Sequence, residues 1–284
     1  MSEIVIQREQ KRNFEAVSVV KAGLIFLRRA ARLVAFVSFL LGGTVYLNLT
    51  IRRHPPSFRD RYRAICQRLA CARAIRSIGI KVRVVGARMT ETASLLVSNH
   101  LGMIDPMVLA SRFELVFSGK AEMFDMPVVG WVCRSIGLIP VHRGRRTKAA
   151  TFAEAVAAKL HAGIDVLAFP EGTTSAGTDL LPFKTGAFAA VEYLEDGTVL
   201  PLTLRIAKIN GAPPGPDVHS HFTWSDATQS MLAHFWEILG VGSAEIEIIV
   251  GEPIATAGRS RKELAEACYR VIRETSVAQQ LAGS

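Results

Sequence analysis

His100 and Asp105 are the residues whose types and spacing first suggest chemistry. They lie in Val97-Ser98-Asn99-His100-Leu101-Gly102-Met103-Ile104-Asp105-Pro106. The apolar run 93–97 reads as a short buried strand, and Asp105-Pro106 as an N-cap followed by a first helical residue. On one ideal helix, residues five apart would stand about 140° apart around the axis. Across a strand–turn–helix junction they can meet. A carboxylate bonded to one imidazole nitrogen fixes the tautomer and leaves the other nitrogen as a base. No serine or cysteine nucleophile sits in an obvious motif, so the base would act on a substrate hydroxyl. An ordinary junction with a capping Asp and a surface His fits the same stretch, which alone does not choose between the two.

Two further strand ends carry chemistry-like side chains. Residues 137–143 read as a strand that stops in charge at His142-Arg143. Residues 164–169 read as a buried strand that runs into Pro170-Glu171-Gly172-Thr173. Arg143 offers a fixed fork for a phosphate, and Gly172-Thr173 offers backbone N–H groups and a hydroxyl at a turn. Glu171 suits either a substrate hydroxyl or a grip on Arg143. Lys120, Arg134, Lys184 and the run Arg143, Arg145, Arg146, Lys148 add positive charge. Singly these are ordinary, since basic runs are usually solvated and Pro-Glu-Gly is usually a turn. In a parallel sheet, however, the strand ends share the edge where such sheets take ligands. There they describe a hydroxyl-activating base beside an anion pocket.

The elements that must position them alternate. Strands are predicted at 80–85, 93–97, 115–118, 137–143, 164–169, 199–204 and 244–250. Helices are predicted from Asp105 to about 111, then at 126–136, 148–162, about 187–194, 226–239 and 260–280. Pro201 places the 199–204 strand at an end or edge. The order implies an α/β fold with a mixed, largely parallel sheet covered by helices on both faces.

Before the first strand the chain is different. Residues 33–51 carry no charge, a run just long enough to cross a bilayer, with Arg28, Arg29 and Arg32 before it and Arg52 and Arg53 after. Gly42-Gly43 could break it. After His54-Pro55-Pro56, residues 59–77 read as a basic amphipathic helix. Tyr62, Ile65, Leu69, Ala72 and Ile75 form its apolar stripe, suited to a membrane interface or to packing on the domain. This divides the chain into a membrane-associated helical region, 1–77, and an α/β domain, 78–284.

Composition agrees. The 284 residues are 49% hydrophobic with net charge +9, pI ≈ 9.7 and mean hydropathy +0.25. Basic and apolar residues occur together and no nucleic-acid module is present, so an anionic membrane surface fits better than nucleic acid. Cys66, Cys71, Cys133 and Cys268 lack metal-ligand spacing and read as reduced core or surface thiols in a cytosol-facing protein.

Four blocks, in order, now carry a specific likeness: Asn99-His100-x-x-x-x-Asp105, Gly137-Leu138-Ile139-Pro140-Val141-His142-Arg143, Phe169-Pro170-Glu171-Gly172-Thr173 and Val199-Leu200-Pro201-Leu202. The chain resembles the glycerophospholipid acyltransferase family, and within it bacterial 1-acylglycerol-3-phosphate acyltransferases. The resemblance implies that His100 is a general base oriented by Asp105. It implies that Lys120, Arg143, Glu171, Gly172 and Thr173 hold the acceptor head, with Lys184 close to them. Pro201 would shape the acyl-donor region. The donor would be acyl-coenzyme A or acyl carrier protein, with no bound cofactor and no metal, and phosphatidic acid the product. The enzyme would sit at the cytoplasmic membrane with its catalytic domain facing the cytoplasm. Two departures stand out, Pro140-Val141-His142 before Arg143 and Thr174 where many members have Arg. Pro-Val-x-Arg, Leu181-Pro182-Phe183-Lys184 and the tail from Trp224-Ser225-Asp226 to His234-Phe235-Trp236 resemble a branch that includes lyso-ornithine lipid acyltransferases. Lyso-ornithine lipid is therefore the alternative acceptor. A non-catalytic peripheral membrane protein is the weaker alternative.

Overall fold

The computed structural model describes residues 2–87, 90, 92–142, 149–177, 179–194, 196–215, 222–224 and 228–282, with only the backbone course for 2–19 and 277–282. The chain begins with one helix, α1 (Ser2–Thr50), followed after two short 3-10 turns by α2 (Arg59–Ser77). The strands are β1 (Ile80–Val85), β2 (Leu95–Ser98), β3 (Leu115–Lys120), β4 (Ile139–Val141), β5 (Asp165–Ala168), β6 (Thr198–Ile209), β7 (Ala244–Val250) and β8 (Ile254–Ala255). Between and after them lie α3 (Asp105–Ala110), α4 (Pro127–Ile136), α5 (Ala149–His161), α6 (Met231–Gly240) and α7 (Arg261–Ala282).

The sheet has eight strands in the order β1-β7-β6-β2-β5-β3-β4, with β8 paired to β6. β2 to β6 run one way; β7 is antiparallel to β6, and β1 parallel to β7. The sheet is thus mixed and largely parallel. β2 and β5 are buried at every residue, as central strands covered on both faces must be, whereas edge strand β1 alternates. One face packs Leu96, Leu167, Leu200, Leu202 and Leu204 against α1, α2, α3 and α6. The other packs Leu95, Val97, Val166 and Val199 against α5, α7 and the 3-10 segment Thr185–Tyr193.

Several local expectations need correction. Gly42-Gly43 does not break α1. Gly43 is where α1 approaches α2, since a Cβ there would stand 2.6 Å from Ala70 Cβ, while one at Gly42 meets nothing within 4 Å. The buried residues of α2 are Ala64, Cys66, Gln67, Cys71, Ala74 and Ile75; of the expected stripe only Ile75 is among them, and Leu69 is 41% exposed. Gln67 is admitted because its amide donates to Leu115 O at 3.2 Å. Pro201 lies inside the sheet, not at an edge. Its carbonyl accepts from Gly251 N–H at 2.9 Å, so its missing N–H faces the gap where pairing passes from β7 to β8. The helix expected near 187–194 is the 3-10 segment already named. All four cysteines are free and buried.

α1 stays attached through its polar residues. The Arg32 guanidinium donates to Leu239 O and Gly242 O at 3.1 and 2.6 Å, a cation at the C-terminus of α6. Asn48 donates to Ser135 of α4 at 2.8 Å. Val20–Arg53 is long and apolar enough to cross a membrane, and only 17% of its most apolar window is buried.

The two glycines give a paired prediction. Gly43→Ala should lower the thermal unfolding midpoint in detergent, a cost of about 1–3 kcal/mol for overpacking. Gly42→Ala should leave it unchanged or raise it, by up to about 1 kcal/mol of helix propensity.

Candidate active site

The loop after β2 is shaped by one carboxylate oxygen. Asp105 is the first residue of α3, not its N-cap, so its side chain turns back over the loop. Its Oδ2 accepts from Leu101 N–H at 2.6 Å and Gly102 N–H at 2.8 Å, and lies 2.9 Å from His100 Nδ1. A carboxylate only accepts, so the imidazole proton sits on Nδ1 and Nε2 is left as a base. The Asp105 side chain is 7% exposed and that of His100 19%, so the base keeps a path to the surface. The His100 ring stacks on Phe169, with centroids 4.1 Å apart and planes at 18°.

Glu171 holds the same loop from the end of β5. Its Oε1 accepts from His100 N–H at 2.7 Å and its Oε2 from Leu181 N–H at 3.0 Å. Burial pushes its carboxyl above the ordinary carboxylate range, against the pull of the two N–H groups and of nearby His100; Asp105 pushes it the same way as burial does. Ser175 N–H donates to His100 O at 2.9 Å. Asn99 completes the frame: its amide donates to Leu204 O at 3.1 Å and accepts from Leu204 N–H at 2.7 Å, extending the β2–β6 ladder through a side chain. At the turn, Gly172 has φ 71°, and a Cβ there would stand 2.6 Å from Lys184 Nζ.

The structure thus gathers His100, Asp105, Glu171, Gly172 and Lys184, with Thr173 exposed at the same turn. Glu171 is engaged on both oxygens by backbone N–H groups, which makes it a brace of the loop. Lys120 ends β3, and Phe117 pairs with Leu167, so Lys120 comes level with Pro170 on the same edge. Pro201 pairs with Val97 within the sheet. Arg143, with Arg145, Arg146 and Lys148, lies outside the described residues. Among the described residues, no three His, Cys, Asp or Glu gather as a metal site. Sequence reasoning gave no role to Asn99, Phe169 or Ser175, although all three stand in or beside the motifs.

The site thus joins a His–Asp pair at the end of one central strand to a Glu-Gly-Thr turn at the end of its neighbour. Residues 81–205 match the family model described as Acyltransferase. The lyso-ornithine lipid O-acyltransferase of Brucella abortus is 31% identical over 205 residues, covering 70% of this chain and 76% of that protein. The 1-acyl-sn-glycerol-3-phosphate acyltransferase of Neisseria gonorrhoeae is 32% identical over 94 residues, covering 33% of this chain and 37% of that one. In fold, the chain is similar to the crystal structure of the 1-acyl-sn-glycerophosphate acyltransferase of Thermotoga maritima. The TM-score is 0.63 at 19% identity, over 89% of this chain and 98% of that one. The chain belongs to the acyltransferase family, and it is an acyltransferase of the lysophospholipid type.

Two predictions separate the roles of the carboxylates. Asp105→Asn keeps the shape but removes the charge that orients the base, and should lower turnover by on the order of 10²–10⁴-fold with the fold intact. Glu171→Gln must turn an N–H₂ toward a backbone N–H. It should lower the thermal midpoint by the equivalent of about 1–3 kcal/mol.

Proposed function

We propose that the chain transfers a fatty acyl group from an acyl thioester to the free hydroxyl of lyso-ornithine lipid. The observation that carries the chemistry is the 2.9 Å contact between His100 Nδ1 and Asp105 Oδ2, from which the Nδ1–H tautomer follows because a carboxylate only accepts. His100 Nε2 takes the hydroxyl proton, and the oxygen attacks the thioester carbonyl. The C–S bond breaks, and the proton on Nε2 passes to the leaving thiolate. Both substrates react directly, without an acyl-enzyme. Coenzyme A and acyl carrier protein both fit as the thiol carrier.

Support for the acceptor comes from the extent of likeness. Similarity to the lyso-ornithine enzyme runs through 70% of the chain, and to the Neisseria enzyme through 33%. An ornithine head presents one carboxylate and one ammonium, which needs less cation than a phosphomonoester. Lys120, Arg143, Gly172, Thr173 and Lys184 are assigned to hold that head, and Pro201 to support the donor side. The second reading, 1-acylglycerol-3-phosphate as acceptor, is favoured by the Arg143 block and by the Neisseria relative.

α1 is assigned to the membrane, with the catalytic domain on the cytoplasmic side. Val20, Leu24, Phe26, Leu27, Val34 and Leu49 are each 59–71% exposed along it, far more apolar surface than water accommodates on one helix. A cavity of ≈ 100 Å³, lined by Leu40 and Leu47 of α1, Cys71 of α2, Met107 of α3 and Phe117 of β3, adds apolar room on the same side of the sheet.

The test offers detergent-purified protein acyl-coenzyme A or acyl carrier protein with lyso-ornithine lipid, with lysophosphatidic acid, or with no acceptor. Thiol release should be acceptor-dependent, with kcat/KM higher for lyso-ornithine lipid by on the order of tenfold or more. Exclusive use of lysophosphatidic acid would establish the second reading.

A further inference from the structure

The loop carrying His100 is held from a second side, by Phe222 and Trp224, which lie outside all four blocks, and by Thr174 at the end of the third. Trp224 N–H donates to Leu101 O at 2.8 Å, and the Thr174 hydroxyl donates to Trp224 O. One residue therefore ties the loop after β2 to the loop after β5. Phe222, buried in the core at 3% exposure, sets its carbonyl against Gly102, where a Cβ would stand 2.5 Å from Phe222 O and 3.6 Å from His234 Nε2. The Trp224 ring lies nearly parallel to that of buried His234 on α6, with centroids 6.0 Å apart and planes at 16°, and its indole N–H donates to Gln229 O at 3.3 Å. Gly102 is thus the point where strap, loop and α6 close on one another.

We propose that residues 222–224 form a positioning strap for His100, with Thr174 and Trp224 as positioning residues. The inference rests on the catalytic reading of His100. The physical argument concerns Leu101 and Gly102. Their N–H groups are two of the three donors on Asp105 Oδ2, and the third is the catalytic imidazole. Glu171 and Ser175 bind His100 itself, at its N–H and its carbonyl, and not Leu101 or Gly102. The strap fixes Leu101 through its carbonyl and Gly102 by contact. Any drift of these residues carries the Asp105 carboxylate off the imidazole. A misplacement of about 1 Å in such a pair can cost on the order of 100-fold in rate. The strap gives no group to the reaction.

The test compares full-length wild type, Thr174→Val, Thr174→Ser and Gly102→Ala in detergent by two measurements. Backbone hydrogen exchange over residues 99–105 requires no substrate. Thr174→Val and Gly102→Ala should speed it by about tenfold, the factor for losing one ordinary hydrogen bond, and Thr174→Ser should restore it. In steady-state transfer, Thr174→Val should lose about tenfold or more in kcat with both KM values within about twofold of wild type, while Thr174→Ser keeps its kcat. Wild-type exchange in both Thr174→Val and Gly102→Ala overturns the strap, whether or not the protein transfers acyl groups. Faster exchange with undiminished kcat overturns its positioning role. A wild type that transfers nothing overturns the catalytic reading, and exchange then decides the strap by itself.

Discussion

Asp105 Oδ2 is the point on which the site depends. One oxygen atom takes two backbone N–H groups and one imidazole N–H, all within 2.9 Å. A carboxylate only 7% exposed would be costly without partners, by several kcal/mol. The loop supplies those partners by wrapping back over the first turn of α3, where the helix dipole also favours negative charge. The energy that satisfies the buried charge is therefore the energy that bends the loop. A base aimed in one direction is the result.

The sheet makes this arrangement possible at longer range. β5 lies directly beside β2 and parallel to it, although 66 residues separate Ser98 from Asp165 in sequence. Their C-terminal ends therefore place Glu171 against the His100 backbone. β6 lies on the other side of β2 and takes Asn99 through its side chain. The His100 loop thus leaves the sheet with both neighbouring strands fastened to it. α1 and α2 pack on one face of the same core through Phe36, Cys71, Ala74, Ile75 and Ile78, so the apolar N-terminal helix shares a core with the strands that carry the site.

Much of this was legible in sequence. Central strands β2 and β5 announce themselves as apolar runs because both faces are covered. The bounds of β1 and α2 follow from alternation and from the prolines at 55 and 56. The spacing of His100 and Asp105 suits a turn and not a helix, and the four ordered blocks single the pair out over an ordinary capped junction. The rest depended on contacts between distant residues. The buried side of α2 is chosen by how closely Ala64, Ala74 and Gln67 let it approach, which ranks them above the more apolar Leu69. Pro201 is tolerated in mid-sheet only because β7 gives way to β8 beside it. Trp224 is brought to Leu101 by the tertiary fold, and no local pattern places it there.

The central claim is that His100 is the base, and restoring a missing base tests it most directly. His100→Gly leaves a space beside Phe169 that free imidazole can enter. The account predicts that this variant is inactive alone and that acyl transfer rises with added imidazole, following the fraction of imidazole that is neutral. Wild-type transfer by His100→Gly without imidazole would contradict it.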